Sequence, residues 1–437
     1  MRKRSKSARG NKTTKSKRRQ ASGKNRPGKD ASSNVLLQSR YCSGEKAILL
    51  GVVAFDMFAV GLIVPLLTPF LRKLGASASQ IGFLSSVYGS VQMFSAPLLG
   101  WISDRVSRRD VLFICILAGA FGYGLLGIAH SLRMVLVSRV IVGVARQTQT
   151  ITKAWLSDLS TKETRLQDLS WFSATVSIGF MLGPTVGGKL AKRYGSYHVP
   201  FTVAFILFLL NSFLIRIALP RNSRNSNSKR EVIPTENVPS KKTSRSTFLG
   251  QFASLEPALR NLLLIRLLLA AGVMLGRNNL FNLLEYKQTL DVEEKGELIS
   301  FFAVVSVLSQ LFIVAPLSRN FDFQPKHMLL LFSFLTSIGF VALAYSSAKI
   351  VFMLCLGFVA VCSSAVRVSM STLLTQAAGK DAYGEVLGVA GSVSSLCRAI
   401  APLIGGILID IYDNAALPTL LASCFCLGVT LFGLVLI

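Results

Sequence analysis

Long apolar runs separated by short polar breaks dominate the chain. As a helix, about 20 apolar residues cross a hydrocarbon core of ~30 Å. Twelve stretches meet that length: 47–70, 81–102, 111–130, 134–158, 166–191, 199–219, 260–286, 297–318, 328–347, 350–376, 385–410 and 415–437. Their connections are short except for 220–259, rich in Ser, Asn, Lys and Arg, which then turns amphipathic at Phe248, Phe252, Leu255 and Leu259. The pattern predicts an all-α membrane protein. Its twelve transmembrane helices form two six-helix bundles, 47–219 and 260–437, joined by a linker at 220–259 and preceded by a tail at 1–46. Hydrophobic residues make up 51% of the chain and charged residues 16%, against about 25% charged in soluble domains. An ordinary soluble enzyme, collagen, a coiled coil and a secreted disulfide scaffold are thereby excluded.

Charge gives the runs a direction. The chain carries 48 Lys+Arg and 21 Asp+Glu, and residues 1–46 hold 15 Lys/Arg against Asp30 and Glu45. With the N-terminus inside, inner segments carry 32 Lys/Arg and outer segments nine. The positive-inside bias therefore predicts both termini in the cytoplasm, and leaves plasma membrane or organelle open. The tail has no apolar face and no signal-peptide core. It reads as a disordered segment that binds anionic lipid headgroups, not nucleic acid. Six of the seven cysteines fall inside the apolar runs, and the three histidines are scattered. Neither a metal site nor a catalytic set is expected, and no cofactor.

The halves repeat. Gly183-Pro184-Thr185-Val186-Gly187-Gly188 in span 5 matches Ala401-Pro402-Leu403-Ile404-Gly405-Gly406 in span 11, an offset of 402 − 184 = 218. At the same offset Lys162-Glu163 meets Lys380-Asp381. Two related six-helix halves with a site between them near the midplane is a secondary-transporter design.

Specific motifs then carry a resemblance. After span 2 the chain reads Gly100-Trp101-Ile102-Ser103-Asp104-Arg105-Val106-Ser107-Arg108-Arg109-Asp110-Val111-Leu112. Span 4 has Arg139 and Gly143 four residues apart; span 5 has Gly179, Gly183, Pro184, Gly187 and Gly188; Asp56 stands nine residues before Pro65. Over residues 45–437 the chain resembles the major facilitator superfamily, in its tetracycline:proton antiporter-like branch. The resemblance implies alternating access, a conformational latch at Gly100, Asp104, Arg105, Arg108 and Arg109, and helix bending at Gly179, Gly183, Pro184, Gly187 and Gly188 with Pro402, Gly405 and Gly406. Ser107 replaces the family's usual Gly, and the second-half counterpart (Pro316, Arg319, Asp322, Lys326) is degraded.

Seven basic residues remain inside the spans: Arg139, Arg146, Lys153, Arg266, Arg277, Arg367 and Arg398; Asp56 is the clearly intramembrane acid. Such residues are costly in a bilayer and face interior cavities. Arg139, Arg146 and Lys153 recur every seven residues, so on one helix they share a face to within ~20° per step. Arg146 lies at a depth comparable to Asp56 and is its expected partner, while Arg139 enters the coupling set through its motif. The expected substrate cavity is Arg146, Gln149, Lys153, Arg277, Asn278, Arg367 and Arg398. Arg266 reads as snorkelling to the interface. The function expected is secondary transport of a small organic solute by a monomer, proton-coupled by symport or antiport, with an organic anion favoured by the surplus of Arg. Two alternatives stay open: a drug:proton antiporter for cationic compounds, and a transporter-like scaffold or sensor that no longer transports.

Overall fold

A computed structural model describes residues 29–160, 164–220, 257–287, 291–314, 316–317, 324–346, 348–378 and 383–436. Most of the tail, nearly all of the linker, both Lys162-Glu163 and Lys380-Asp381, and Arg319 and Asp322 lie outside them, as does the side chain of Asp104. The described chain is helical: α1 Lys29–Lys73, α2 Ala78–Arg105, α3 Arg108–Gly127, α4 Leu132–Ala145, α5 Thr148–Leu159, α6 Arg165–Tyr194, α7 His198–Ala218, α8 Pro257–Lys287, α9 Val292–Ser309, α10 Pro325–Tyr345, α11 Lys349–Ala378, α12 Tyr383–Tyr412 and α13 Leu417–Leu436. A π-helical turn, Gln310–Val314, extends α9. Helix α1 starts at Lys29, ahead of the expected 47, and its apolar crossing segment is Gly44–Lys73. Ten described helices are long and apolar enough to cross a membrane. Helix α2 and the pair α4/α5, which carry more polar residues, complete the twelve spans.

Side-chain size and helical spacing explain the packing. In the first half Leu62, Leu66, Phe70, Leu112, Ile116, Phe201 and Phe208 form one core. The second half has two, one around Leu263, Val366 and Met370 and one around Leu284, Phe352 and Val359. Outside these cores Phe94, Phe121, Phe213, Phe312, Ile350 and Leu354 are exposed. Such an apolar exterior suits hydrocarbon, not water.

The expected single helix over 134–158 is corrected. It breaks at Arg146–Gln147, between α4 and α5. Partners on α2 meet the freed polar groups: Gln92 Nε2 donates to the Arg146 carbonyl (3.2 Å), and Gln147 Nε2 donates to the Gln92 carbonyl (3.0 Å) and to Ser95 Oγ (3.0 Å). A break in a membrane helix is tolerable where a neighbour re-satisfies the backbone in this way.

The halves meet along α2 with α12 and along α6 with α9. Glycines set the approach. A Cβ at Gly406 would overlap the Ala78 carbonyl, and one at Gly296 the Pro184 carbonyl. The repeated Gly-Pro motifs therefore act as close-packing surfaces; α6 and α12 run through Pro184 and Pro402 as continuous helices. Within the first half, Gly179, Gly183 and Gly187 press on Ala54, Gly61 and Leu62 of α1.

At the end of the bundle marked by Gly75, two clasps join the halves. Asp410 on α12 accepts from the Ala78 and Ser79 N–H groups at the start of α2 (2.9 and 2.8 Å). Lys192 on α6 pairs with Asp291 (3.2 Å) and Glu293 (2.8 Å) at the start of α9. Both gripped helix starts carry a capping box, Ser77 with Gln80 and Asp291 with Glu294, which satisfies the free N-terminal donors reciprocally. The offset that maps Pro184 onto Pro402 also maps Lys192 onto Asp410 (192 + 218 = 410). One symmetry-related position thus holds opposite charge in the two halves. Further cross-half bonds follow towards the middle: Leu403 N–H to Ser86 Oγ (3.1 Å), Thr185 N–H to Ser300 Oγ (3.2 Å) and Arg398 Nη1 to Gln92 Oε1 (3.3 Å).

Candidate functional site

At the helix break, the turn at Arg146 aims its side chain across the first half at α1. Arg146 Nη1 meets both oxygens of Asp56, at 3.2 and 3.3 Å. Asp56 is 1% exposed and Arg146 12%, and Thr148 also bonds to the Asp56 carboxylate. The low dielectric there strengthens this pair and equally penalises either charge left alone. A space of about 10 Å³ lies behind it, bounded by Tyr123 and Cys115, room for one water.

A cavity of about 200 Å³ opens in front. Asp56, Arg146, Gln147, Thr148, Gln149 and Thr150 from the first half line it with Gln92 and Ala96 of α2, and Ser395 and Arg398 of α12 close the other side. Gln149 Nε2 contacts Met57 Sδ at 3.1 Å. Both halves thus contribute to one polar chamber.

The other expected residues divide. Arg277, Arg367 and Arg398 are exposed in the second half, but of the three only Arg398 lines the cavity, and Asn278 does not line it either. Asn278 is half-buried, with its amide nitrogen unpartnered. Beside it Asn279 donates to the Leu275 carbonyl. Arg266 is held by Ser394 Oγ (3.2 Å) and the Ala390 carbonyl (3.4 Å) of α12. The expected common stripe of Arg139, Arg146 and Lys153 is corrected for Lys153 alone: Arg139 and Arg146 both lie by Tyr88 and Tyr123, whereas Lys153, beyond the break, leaves that face. Arg139 is buried between the rings of Tyr88 and Tyr123, 5.9 Å from each, with Nε and Nη2 lacking hydrogen bonds. Lys153 is exposed beside Phe172 of α6, 5.2 Å from the ring centroid, and does not line the cavity.

In the expected latch, Arg105 stacks on Trp101 (3.8 Å), Arg108 Nε bonds Asp158 (2.7 Å) and Arg109 donates to the Arg216 carbonyl. These partners all belong to the first half. A Cβ at Gly100 would meet open space. Gln92 and Thr148 are polar cavity residues that sequence reasoning missed; a lone amide in the middle of span 2 was the signal for Gln92. Lys192 and Asp410 were missed because each looks like an ordinary interfacial charge.

Twelve spans in two packed halves, enclosing a chamber with a buried ion pair, define a membrane transport protein. The chain belongs to the Major Facilitator Superfamily, whose model matches residues 49–402 and 266–437. It is 24% identical over 375 residues to the Escherichia coli tetracycline resistance protein, class C, covering 82% of this chain and 87% of that protein. It is 25% identical over 376 residues to multidrug resistance protein 1 of Bacillus subtilis (strain 168), covering 85% and 92%. The crystal structure of the human organic anion transporter MFSD10 (TETRAN) matches with a TM-score of 0.64 at 19% identity, over 90% of this chain and 99% of that one. The protein is a secondary transporter rather than an enzyme.

Proposed function

We propose that the protein couples protons to the movement of a small organic anion across a membrane, by alternating access, with both termini cytoplasmic. The observation that carries this reading is the Asp56–Arg146 pair at the wall of the chamber. A carboxylate that gains a proton loses its hold on the guanidinium. Protonation of Asp56 then releases Arg146, and with it the α4/α5 turn that Arg146 occupies. Arg398 on the opposite wall supplies positive charge to the solute and already bridges to Gln92. With the termini inside, the Gly75 end is external and closed by its two clasps, so this state faces the cytoplasm. The motif after α2 then acts in the opposite, outward-facing state, which fits its present partners lying within one half. The basic tail docks on anionic lipid.

Purified protein in proteoliposomes, with a panel of organic anions and lipophilic cations and an imposed pH gradient, tests the reading. Gradient-driven uptake or efflux of an anion supports it. Cation transport indifferent to anions overturns it. So does the absence of any pH coupling.

A further inference from the structure

Three charged side chains line the chamber: Asp56, Arg146 and Arg398. Asp56 and Arg146 cancel in their pair, so Arg398 leaves the wall with a single surplus positive charge. Its guanidinium reaches from α12 to α2, where Nη1 donates to Gln92 Oε1 at 3.3 Å. That neutral amide oxygen is its one hydrogen-bond partner among the described residues. The uncharged part of the lining is one-sided. Gln149 Nε2 points at Met57 Sδ (3.1 Å), the Thr150 hydroxyl donates to Gln147 Oε1 (3.3 Å), and the Ser395 hydroxyl donates to the Gly391 carbonyl (3.0 Å). A hydroxyl has one proton and two lone pairs. The two hydroxyls therefore keep only lone pairs to offer, and Gln149 adds its amide oxygen, so the neutral wall mainly accepts.

We propose that the chamber takes a compact monocarboxylate bearing a neutral hydrogen-bond donor, an amide or a hydroxyl, and that Arg398 is the residue that selects its charge. The inference rests on the transport reading above and narrows it to a solute class. A carboxylate matches the guanidinium fork and, being charged, binds it more strongly than the Gln92 oxygen that it replaces. The solute then spans the seam that Gln92 had bridged, with its carboxylate on Arg398 of the second half and its donor on Gln149 or Thr150 of the first. A monoanion neutralises the wall. A dianion brings a second negative charge into a space bordered by the Asp56 carboxylate, where reduced dielectric magnifies repulsion. A neutral analogue offers Arg398 nothing better than Gln92 does. Size sets the scale: the chamber of about 200 Å³ is larger by about a third than the engineered cavity of ~150 Å³ that holds benzene, which gives room for about eight non-hydrogen atoms.

The test uses ligand-dependent thermal stability of the purified full chain in detergent near neutral pH, because binding to the folded state alone raises the melting temperature. Succinamide, succinamate and succinate place no, one and two negative charges on one skeleton of that size. Levulinate has the shape and charge of succinamate with a methyl group in place of the amide nitrogen, so it lacks the donor. Succinamate should raise the melting temperature at concentrations about tenfold below those needed for succinate or succinamide, and about fivefold below those for levulinate. Arg398→Gln should weaken succinamate by about tenfold or more and leave succinamide where it was. Arg398→Lys keeps the charge, controls for folding and should retain most of the succinamate response. Succinate as effective as succinamate, levulinate as effective as succinamate, an unchanged succinamate response in Arg398→Gln, or no shift with any of the four probes overturns the inference. The wild-type series decides the solute class even where a variant fails to fold. Proton coupling is read separately, from gradient-driven flux, and loss of that flux in wild type would sink the transport reading instead.

Discussion

Asp56 and Arg146 show how far single residues could be read from the chain. An acid in the middle of an apolar run, and a base at comparable depth three spans along, were enough to pair them. Their contact at 3.2 Å makes two outcomes expected. Asp56→Asn should abolish gradient-driven transport while leaving solute exchange partly intact, which counterflow in proteoliposomes checks; undiminished concentrative transport would remove Asp56 from the coupling step. Arg146→Gln leaves a buried carboxylate uncompensated and should cost about 3–5 kcal/mol of stability. Adding Asp56→Asn to it should restore part of that loss, as a double-mutant cycle in thermal denaturation would reveal; additive losses would argue against the pair. Arg139 was less legible. Its seven-residue spacing from Arg146 suggested a shared face, and both do lie by Tyr88 and Tyr123, but nothing in the spacing pointed to those rings. Ring contacts across helices leave no trace in linear spacing.

At the scale of elements, hydropathy located the spans well because the bilayer demands length and apolarity together. It could not find the break at Arg146–Gln147, since both sides of it are helical and neither Gly nor Pro marks it. The break depends on a tertiary fact: Gln92 on α2 accepts and donates where the helix ladder stops. Gln92→Leu should therefore destabilise by about 1–3 kcal/mol through unsatisfied buried backbone, and should weaken transport through the misplaced Arg146 turn. Comparing melting temperature and flux for Gln92→Leu and Gln92→Asn checks this; wild-type values for both in the Leu variant would show the break to be self-sufficient. The Gly-Pro repeats were visible as a pattern, but their work as a packing surface became visible only once Gly406 met Ala78 and Gly183 met Gly61. Gly406→Leu should wedge α12 from α2 and widen spin-label distances across the Gly75 end; unaltered distributions would assign closure there to α6 and α9 alone.

For the whole molecule, closure at the Gly75 end and proton coupling are separate matters. The Lys192 ammonium and the Val292 N–H hold the Asp291 carboxyl below its ordinary range. A depressed carboxylate contributes its stabilisation above the unfolded value of ~3.9 and loses it only as pH falls through the lower folded value. The α6–α9 clasp should therefore stay shut between about pH 5 and 8, and pH dependence of transport in that window belongs to another group. Spin-label distances between α6 and α9, measured across that range, should not move; Lys192→Glu, which faces two acids, should lengthen them at every pH. The twofold design was legible from the Pro184/Pro402 offset, whereas the reversal of charge between Lys192 and Asp410 needed coordinates, because only contact shows what each one grips. That reversal bears on assembly. Were two copies of the first half to pair, Lys192 would face the positive start of α2; were two copies of the second half to pair, Asp410 would face Asp291 and Glu293. Each mismatched pairing sets like against like, and only the mixed one is complementary. Expressed as separate fragments split within 220–256, the halves should co-purify as a heterodimer and refuse self-association, and exchanging the charges at 192 and 410 should erode that selectivity.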